Sequence, residues 1–389
     1  MPTLGWIGKK AVLNHHRQVA YRLLRSDPSL SAGDAESGNL LVQGDNLLAL
    51  KTLLPYYAGK VKCIYIDPPY NTGNEEWVYN DAVNSPEMRG WLGKVVGGED
   101  EDLSRHDKWL CMLYPRLSLL NDFLTQDGVI LVSIDDFEAH RLRSIMDEIF
   151  GPRNFIAQLV WDKTRKNDAK LFSVGHEYVL IYARSLRRLR ELKTVWREQK
   201  PGAREVIAEW QELRAEHGDN YEAIQNALRA WYKSLPKTHP AKKLSRHKWV
   251  DKFGPWRDRD ISWPGGGGPR YDVIHAKTGL PCRVPERGWG FATPEAMDKQ
   301  IRMGLVQFRD DHTEPPFRKA HLIPMPDELS DDQNSESEEE ESDEGVGLQV
   351  MPSVIQKQAQ VVAKLLRKIF DGQRVFPNAK DHEVIMRLI

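Results

Sequence analysis

The feature that most constrains the fold is an apolar run, Val61–Ile66, that ends in the tetrapeptide Asp67-Pro68-Pro69-Tyr70. A short apolar run that leads into a turn-rich stretch, Asn71-Thr72-Gly73, is typical of a buried strand of an α/β sheet. Ligands of open α/β sheets bind beyond the carboxyl ends of the strands. The tetrapeptide therefore lies where such a sheet carries its chemistry.

The residue types of the tetrapeptide suit one reaction, the methylation of an exocyclic amino group on a nucleic-acid base. The Asp67 carboxylate can accept one N–H of such an amine, and the carbonyl of Pro68 can accept the other. Two consecutive prolines, Pro68 and Pro69, restrict the backbone and hold both acceptors in place. Tyr70 offers an aromatic face on which an extruded base can stack. A turn with an Asp cap and a packed Tyr is the alternative.

The apolar pattern predicts alternating strands and helices on both sides of the tetrapeptide. Asp135-Asp136 is predicted to cap the helix that follows it, and Glu177–Ala183 to be an edge strand. The predicted elements are the strands Leu40–Gln43, Val129–Ile134 and Phe155–Trp161 and the helices Asn46–Leu54, His106–Leu124, Glu138–Phe150, Val354–Phe370 and Glu383–Ile389.

Three segments, Leu40–Asn46, Tyr65–Gly73 and Asp127–Asp136, resemble the motifs of site-specific adenine N6 DNA methyltransferases, above all the modification subunits of Type III restriction–modification systems. The resemblance is to the class in which DPPY precedes the glycine-rich cofactor loop. It implies a Rossmann-like α/β sheet in permuted order with an inserted target-recognition region. It also implies S-adenosylmethionine as cofactor and double-stranded DNA as substrate. Cytosine N4 is the chemical alternative, and Asp rather than Ser at position 67 favours adenine.

The same resemblance implies three cofactor-binding residues and no metal. Asp45 and Asn46 lie in the turn that is beside the cofactor in this family, and Lys380 belongs to a segment, Phe376–Lys380, near its methionine end. A plain helix cap at Asp45 and a plain turn at 376–380 are the alternatives.

The chain departs from the family pattern because no strand–turn–helix context surrounds any of its glycine clusters, Gly265–Gly268 included. We therefore expect the sheet to be incomplete at the C-terminus, with the chain stopping before the cofactor loop. A second hypothesis follows, a truncated DNA-binding remnant or split subunit without catalysis of its own. A second copy of the chain, a restriction subunit and a separate chain carrying the loop are alternative partners.

Charge is distributed unevenly along the chain. Residues 327–344 contain 11 acidic residues and no basic ones, whereas Lys and Arg outnumber Asp and Glu by 32 to 21 within 162–321. A basic region beside an acidic low-complexity stretch predicts a phosphate-binding surface next to a disordered linker. The predicted domains are a lead-in (1–38), a catalytic domain (39–184), a target-recognition region (185–325), the linker (326–347) and a return to the catalytic domain (348–389).

Candidate DNA contacts lie in two places. The basic region offers Arg257, Arg259 and Arg270, with Arg283 and Arg287 as further candidates, and a merely solvated basic face is the alternative. Trp77 and Tyr79 lie in the long segment after the tetrapeptide, which we interpret as a lid. They are predicted to stack on a base or, alternatively, to anchor the loop.

No apolar run approaches the roughly 20 residues of a membrane span, and the N-terminal residues lack a signal-peptide pattern. Three widely spaced cysteines, Cys63, Cys111 and Cys282, are typical of reduced thiols. We therefore expect a cytoplasmic protein with no membrane partner.

Overall fold

The computed structural model describes residues 3–72, 90, 93–94, 104–163, 170–323, 347–357, 360–373, 375 and 379–389. The chain forms two compact units, of which one combines Met1–Thr194 with Pro352–Ile389 and the other is Val195–Met351. We call them the sheet unit and the inserted unit.

Strands and α-helices are interspersed along the described residues. The strands are β1 (Val61–Ile66), β2 (Leu124–Ile134), β3 (Phe155–Asp162), β4 (His176–Ala183), β5 (Glu198–Gln199), β6 (Trp249–Asp251), β7 (Gly254–Arg259), β8 (Val306–Gln307), β9 (Phe317–His321), β10 (Leu348–Gln349) and β11 (Val354–Gln356). The α-helices are α1 (Lys9–Val12), α2 (His15–Gln18), α3 (Asn46–Tyr57), α4 (Arg105–Phe123), α5 (Ala139–Phe150), α6 (Leu186–Glu191), α7 (Ala203–His217), α8 (Tyr221–Ser234), α9 (Pro294–Arg302), α10 (Gln360–Ile369) and α11 (His382–Leu388).

The sheet unit is built on a five-stranded mixed sheet in the spatial order β1-β2-β4-β3-β11. β1 runs parallel to β2, with Ile66 opposite Val132, so the carboxyl ends of both strands meet at one edge. Helices α4 and α5 contribute buried apolar side chains to the core beside this sheet. The α/β class predicted for the chain is therefore confirmed.

Local sequence explains where the flanking helices begin. Ser104 and Asp107 form a reciprocal capping box at the start of α4, which satisfies two orphan N–H groups. Helix α5 buries Leu142, Ile145 and Met146 at helical spacing. The predicted helices His106–Leu124 and Glu138–Phe150 are thus confirmed to within one residue at each end.

Two predicted strands differ from the structure. Leu40–Gln43 is not a strand, because none of the strand pairs among the described residues includes it, and Leu41 is 95% exposed. The strand predicted at Glu177–Ala183 exists as β4, but its edge position is wrong. β4 pairs with β2 on one side and β3 on the other, both antiparallel, and Leu180 and Tyr182 are fully buried.

Two predictions about helices are also wrong. The segment predicted as one helix, Val354–Phe370, begins as β11, because the edge of β3 is available for parallel pairing and buries Ile355. The N-cap of α5 is Glu138 and not Asp135-Asp136. The Asp135 side chain instead accepts a hydrogen bond from the Phe137 N–H at 3.0 Å, and Asp136 accepts one from the Tyr178 hydroxyl at 2.8 Å.

The inserted unit contains a four-stranded antiparallel sheet in the order β6-β7-β9-β8. One apolar cluster joins α7 and α8 to Val250 and Leu322, and a second surrounds Trp289 and Met297. Gly268, the last residue of the glycine cluster Gly265–Gly268, is packed against Trp263. A Cβ at this position would lie 2.3 Å from Cβ of Trp263, so only glycine fits there.

None of the helices in the described ranges combines the length and hydropathy that a bilayer crossing requires. All three cysteines are free thiols, and two of them, Cys111 and Cys282, are buried.

Candidate active site

The tetrapeptide leaves β1 at the carboxyl edge of the sheet, as predicted. The indole Nε1–H of Trp109, a fully buried residue of α4, donates a 2.7 Å hydrogen bond to the Pro69 carbonyl. Tyr65 and Ser133, at the ends of β1 and β2, share a hydrogen bond of 2.6 Å between their hydroxyls. The bond from Trp109 attaches the turn to the helix layer, and the bond between Tyr65 and Ser133 joins β1 to the neighbouring strand just before the turn.

Lys380 lies directly on the tetrapeptide, although 310 residues separate it from Tyr70. Its Nζ is 3.1 Å from Oδ1 of Asp67 and donates a 2.6 Å hydrogen bond to the Tyr70 hydroxyl. The ammonium also lies 4.5 Å from the centroid of the Tyr70 ring. Sequence reasoning placed Lys380 near a cofactor, and the structure brings it to the carboxylate and ring of the tetrapeptide.

Glu177, at the start of β4, is a second carboxylate at this site. Its Oε2 lies 2.5 Å from Nζ of Lys163 and 3.3 Å from Nζ of Lys380, and it accepts a 3.2 Å hydrogen bond from the Tyr70 hydroxyl. The side chain is only 6% exposed. Sequence reasoning missed Glu177 and Lys163. The available signal was a charged residue inside the predicted strand Glu177–Ala183, where an apolar one is expected.

Burial and mutual interaction shift the pKa values within one group of side chains. We call this group the charged cluster, and it consists of Asp67, Tyr70, Lys163, Glu177 and Lys380. Burial raises the pKa of Asp67, and this effect outweighs the opposing attraction of Lys380. Burial, reinforced by the Glu177 and Asp67 carboxylates, raises the pKa of the Tyr70 phenol, which stays protonated. Burial and the neighbouring Lys380 lower the pKa of Lys163. Asp67 is thus a stronger proton acceptor than an ordinary aspartate, and Tyr70 remains a neutral hydrogen-bond donor.

A third carboxylate, Glu138, binds the residue that follows the tetrapeptide. Asn71 is 1% exposed and has a positive φ of 58°. Its Nδ2 donates to Oε1 of Glu138 at 2.5 Å. Nδ1 of His106 contacts the same oxygen, and Arg141 lies 3.2 Å from Oε2. The Glu138 side chain has no exposed surface.

Asp45 and Asn46 lie at the start of α3 and share one partner on α4. Asp45 caps α3 by accepting from the Leu48 N–H at 2.9 Å. Its Oδ2 is 3.6 Å from Arg116, which also donates from Nε to Oδ1 of Asn46 at 2.6 Å. Asp45 is therefore a helix cap, which was the alternative to cofactor binding. Its side chain is still 50% exposed.

The arginines proposed for DNA differ in their surroundings. Arg257 and Arg259 are half-buried on β7, and Arg270 is exposed and donates to the Glu286 carbonyl. Arg283 and Arg287 are both exposed, and Arg287 pairs with Asp260 at 2.6 Å. Trp77 and Tyr79 lie outside the described residues, as do residues 376–378 and 326–346.

Cations and aromatic rings of the inserted unit contact one another. Lys248 lies 4.6 Å from the Trp249 ring, Arg309 lies 4.6 Å from Phe317, and Arg318 lies 4.8 Å from Phe291. Some cations of the basic region are therefore engaged in contacts with aromatic rings of the protein itself.

Comparison with known families identifies the chain. A model of a family described as "DNA methylase" matches residues 61–370, which include the tetrapeptide, β2, β4 and the whole inserted unit. The chain belongs to the DNA methylase family. Membership of a DNA methyltransferase family, predicted from the three motifs, is thereby confirmed.

Relatives of similar sequence include both Type III Mod subunits and a Type II methyltransferase. The chain is 32% identical over 324 residues to the EcoP15I Mod subunit of Escherichia coli, a Type III restriction-modification enzyme, covering 79% of this chain and 49% of that protein. It is 38% identical over 199 residues to the EcoPI Mod subunit of Escherichia phage P1, covering 47% and 30%. It is 35% identical over 159 residues to the Type II methyltransferase M.KpnI of Klebsiella pneumoniae, and the match covers 40% of this chain and 35% of that protein. The chain thus spans at most about half the length of these relatives.

Proposed function

We propose that the protein transfers a methyl group from S-adenosylmethionine to the N6 amine of adenine in double-stranded DNA, as part of a restriction–modification system. The observation that carries the proposal is the position of the Lys380 ammonium, which binds Asp67 Oδ1 at 3.1 Å and lies over the Tyr70 ring. A base stacked on the Tyr70 ring would place the N–H of its exocyclic amine beside the same Asp67 oxygen, so the Lys380 ammonium occupies the position proposed for that amine. Membership of the DNA methylase family and the Type III relatives support the same reaction.

Each residue of the tetrapeptide has a separate role in this mechanism. Asp67 accepts one N–H of the amine and the Pro68 carbonyl accepts the other, which directs the nitrogen lone pair out of conjugation with the ring. The raised pKa of Asp67 favours transfer of the released proton to its carboxylate. Tyr70 stacks on the base, and the hydrogen bond from Trp109 to Pro69 keeps the turn rigid. Lys380 must leave Asp67 when the base enters, and it can stay beside Glu177 as it does so.

The residues assigned to the cofactor have the chemistry that S-adenosylmethionine requires. Asp45 is half exposed while Leu48 and Arg116 hold it, so its carboxylate can accept hydrogen bonds from the ribose hydroxyls. Asn46 adds an amide donor, and Lys380 supplies a cation that suits the carboxylate of the methionine part. When bound, the cofactor supplies an electrophilic methyl group on a sulfonium.

We also propose that the inserted unit carries the DNA contacts. Within residues 195–321 of this unit, Lys and Arg outnumber Asp and Glu by 23 to 17, which supports binding to phosphates. Arg257, Arg259 and Arg270 are proposed as contacts, and Arg270 is the most accessible of the three. Substitution of a phosphate-binding arginine should lower DNA affinity for all sequences and reduce its salt dependence.

The test is incorporation of a labelled methyl group into unmethylated DNA, followed by nucleoside analysis. Label in N6-methyladenine supports the proposal, whereas label in N4-methylcytosine would show that the target base is cytosine and not adenine. Asp67→Asn should abolish incorporation. Asp127→Asn is the matched control, since Asp127 pairs with Lys62 near the amino end of β1. DNA binding without incorporation, in a protein that does not bind the cofactor, would favour the DNA-binding remnant.

A further inference from the structure

Glu138 directs its side chain away from its own helix. It occupies the N-cap position of α5, where a side chain ordinarily accepts a hydrogen bond from the second or third N–H of the helix. Glu138 makes no such bond. Its carboxylate, which has no exposed surface, instead binds Asn71, His106 and Arg141. A role in capping therefore does not explain this residue.

Asn71 is the point at which Glu138 acts on the site. It directly follows Tyr70 and adopts a φ of 58°, a left-handed conformation that is uncommon for residues other than glycine. Such a conformation persists only where the surroundings hold it. The 2.5 Å hydrogen bond from Nδ2 to Oε1 of Glu138 provides that restraint, together with a 3.4 Å hydrogen bond to the Arg105 carbonyl.

Helix α4 holds the tetrapeptide at two places. His106 and Trp109 are three residues apart and so lie on the same face of the helix. Trp109 binds the carbonyl of Pro69, and His106 binds the carboxylate that holds Asn71. Pro69 and Asn71 flank Tyr70, the ring proposed to stack on the base. Any loosening at Asn71 should therefore change the position of Tyr70 and of the bond to Pro69.

We propose that Glu138 is a positioning residue of the methyltransferase site, which fixes the exit of the tetrapeptide through Asn71 and His106. The expected effect of Glu138 on the rate of methyl transfer rests on the proposed function, whereas its structural role does not. Because the Glu138 side chain is fully buried, it touches neither DNA nor cofactor, and its influence on the reaction passes through the backbone of residues 67–71.

The structural test uses the complete chain with ¹⁵N-labelled indoles, and Trp109→Phe assigns the Trp109 signal. In Glu138→Gln one of the two acceptor oxygens becomes an NH2 group, so Asn71, His106 and Arg141 cannot all keep their hydrogen bonds. The Trp109 N–H should then exchange with solvent about tenfold faster, while the other indoles stay unchanged. Glu148→Gln is the matched control. Glu148 lies on the same helix, α5, and binds Lys9 at 2.8 Å and the Tyr114 hydroxyl at 3.1 Å.

Asn71→Gly keeps the test decisive if Glu138→Gln fails to fold. Glycine adopts a positive φ without strain but lacks the side chain that Glu138 binds. We expect the same faster exchange of Trp109 in this variant. Unchanged exchange in a folded Asn71→Gly protein overturns the proposal.

The kinetic test separates this inference from the proposed function. If the unaltered chain methylates DNA, Glu138→Gln should lower kcat about tenfold while KM for DNA stays within about twofold, because a positioning residue acts on the reacting geometry and not on DNA affinity. An equal loss in the Glu148→Gln control contradicts the inference. Absence of methylation by the unaltered chain would overturn the proposed function, and the exchange measurement would still decide the role of Glu138.

Discussion

The carboxylate of Glu177 offers a sharp test of how the charged cluster is held together. The side chain is 6% exposed and binds the ammonium groups of Lys163 at 2.5 Å and Lys380 at 3.3 Å. Glu177→Gln keeps the shape and removes the charge. The two ammonium groups, 24% and 16% exposed, would then share Asp67 as their remaining carboxylate in the cluster.

The expected cost follows from these distances. At an effective dielectric constant of about 20, charges 3.3 Å apart attract each other by about 5 kcal/mol. Part of this attraction only offsets the desolvation of the carboxylate, and breaking buried ion pairs costs about 3–5 kcal/mol. Because both lysines can move toward solvent, we expect a loss of about 3 kcal/mol in the free energy of unfolding at pH 7.

Urea unfolding followed by circular dichroism measures this loss. Glu148→Gln is again the control, because that carboxylate pairs with one lysine, Lys9, and is 16% exposed. We expect it to cost about 1 kcal/mol. If the free energy of unfolding of Glu177→Gln lies within about 0.5 kcal/mol of that of the unaltered protein, Glu177 does not hold the charged cluster together.

The loss should depend on pH with a predictable sign. Burial, with Lys380 nearby, lowers the pKa of Lys163 in the folded state, so the unfolded chain binds more protons and stability rises with pH toward the ordinary lysine range. Glu177 opposes this shift, since its charge raises the pKa of Lys163. Removing Glu177 lowers the pKa of Lys163 further, so the deficit of Glu177→Gln should shrink as pH rises. A deficit that grows with pH would contradict this assignment.

Three further outcomes are expected. Asp67→Asn should lower the rate of methyl transfer at least about 100-fold in single-turnover assays, with the urea midpoint unchanged. Because burial raises the pKa of Asp67, the rate should fall as the pH falls through a range above the ordinary aspartate value of about 3.9, and a pH–rate profile with its acid limb at or below that value would count against it. Trp109→Phe removes the hydrogen bond to the Pro69 carbonyl and should cost about 1–3 kcal/mol in urea unfolding, since that buried oxygen loses its donor.

The proposed reaction depends on a base displacing a lysine. Lys380 binds Asp67 and covers Tyr70, and these are the groups assigned to the target amine and its ring. Glu177 offers Lys380 an alternative partner within 3.3 Å, which lowers the cost of that displacement. The cluster therefore combines a ready acceptor for the amine with a site that can retain the displaced cation.

Some elements could be predicted because their signals are local. The bounds of β1 agree with the predicted strand, and α4 and α5 agree to within one residue at each end. A continuous apolar run, a capping box and helical spacing each depend on residues a few positions apart. Asp45 as an N-cap was predictable for the same reason.

Other elements depended on partners that are remote in the chain. Leu40–Gln43 has strand-like composition but no neighbouring strand among the described residues, while Val354–Gln356 becomes a strand because β3 lies beside it. The place of β4 in the middle of the sheet follows from antiparallel pairing on both sides. Hydrogen bonds between strands join residues without regard to sequence distance, so composition alone does not reveal them.

The sequence by itself determined the strand, the turn and the acceptor groups of Asp67–Tyr70, because these are properties of adjacent residues. Only the tertiary structure decided which charges surround them. Lys380 and Glu177 meet Tyr70 from 310 and 107 positions away, and Glu138 meets Asn71 from 67. A buried carboxylate must find its donors wherever the folded chain brings them, and that requirement is met by packing and not by local pattern.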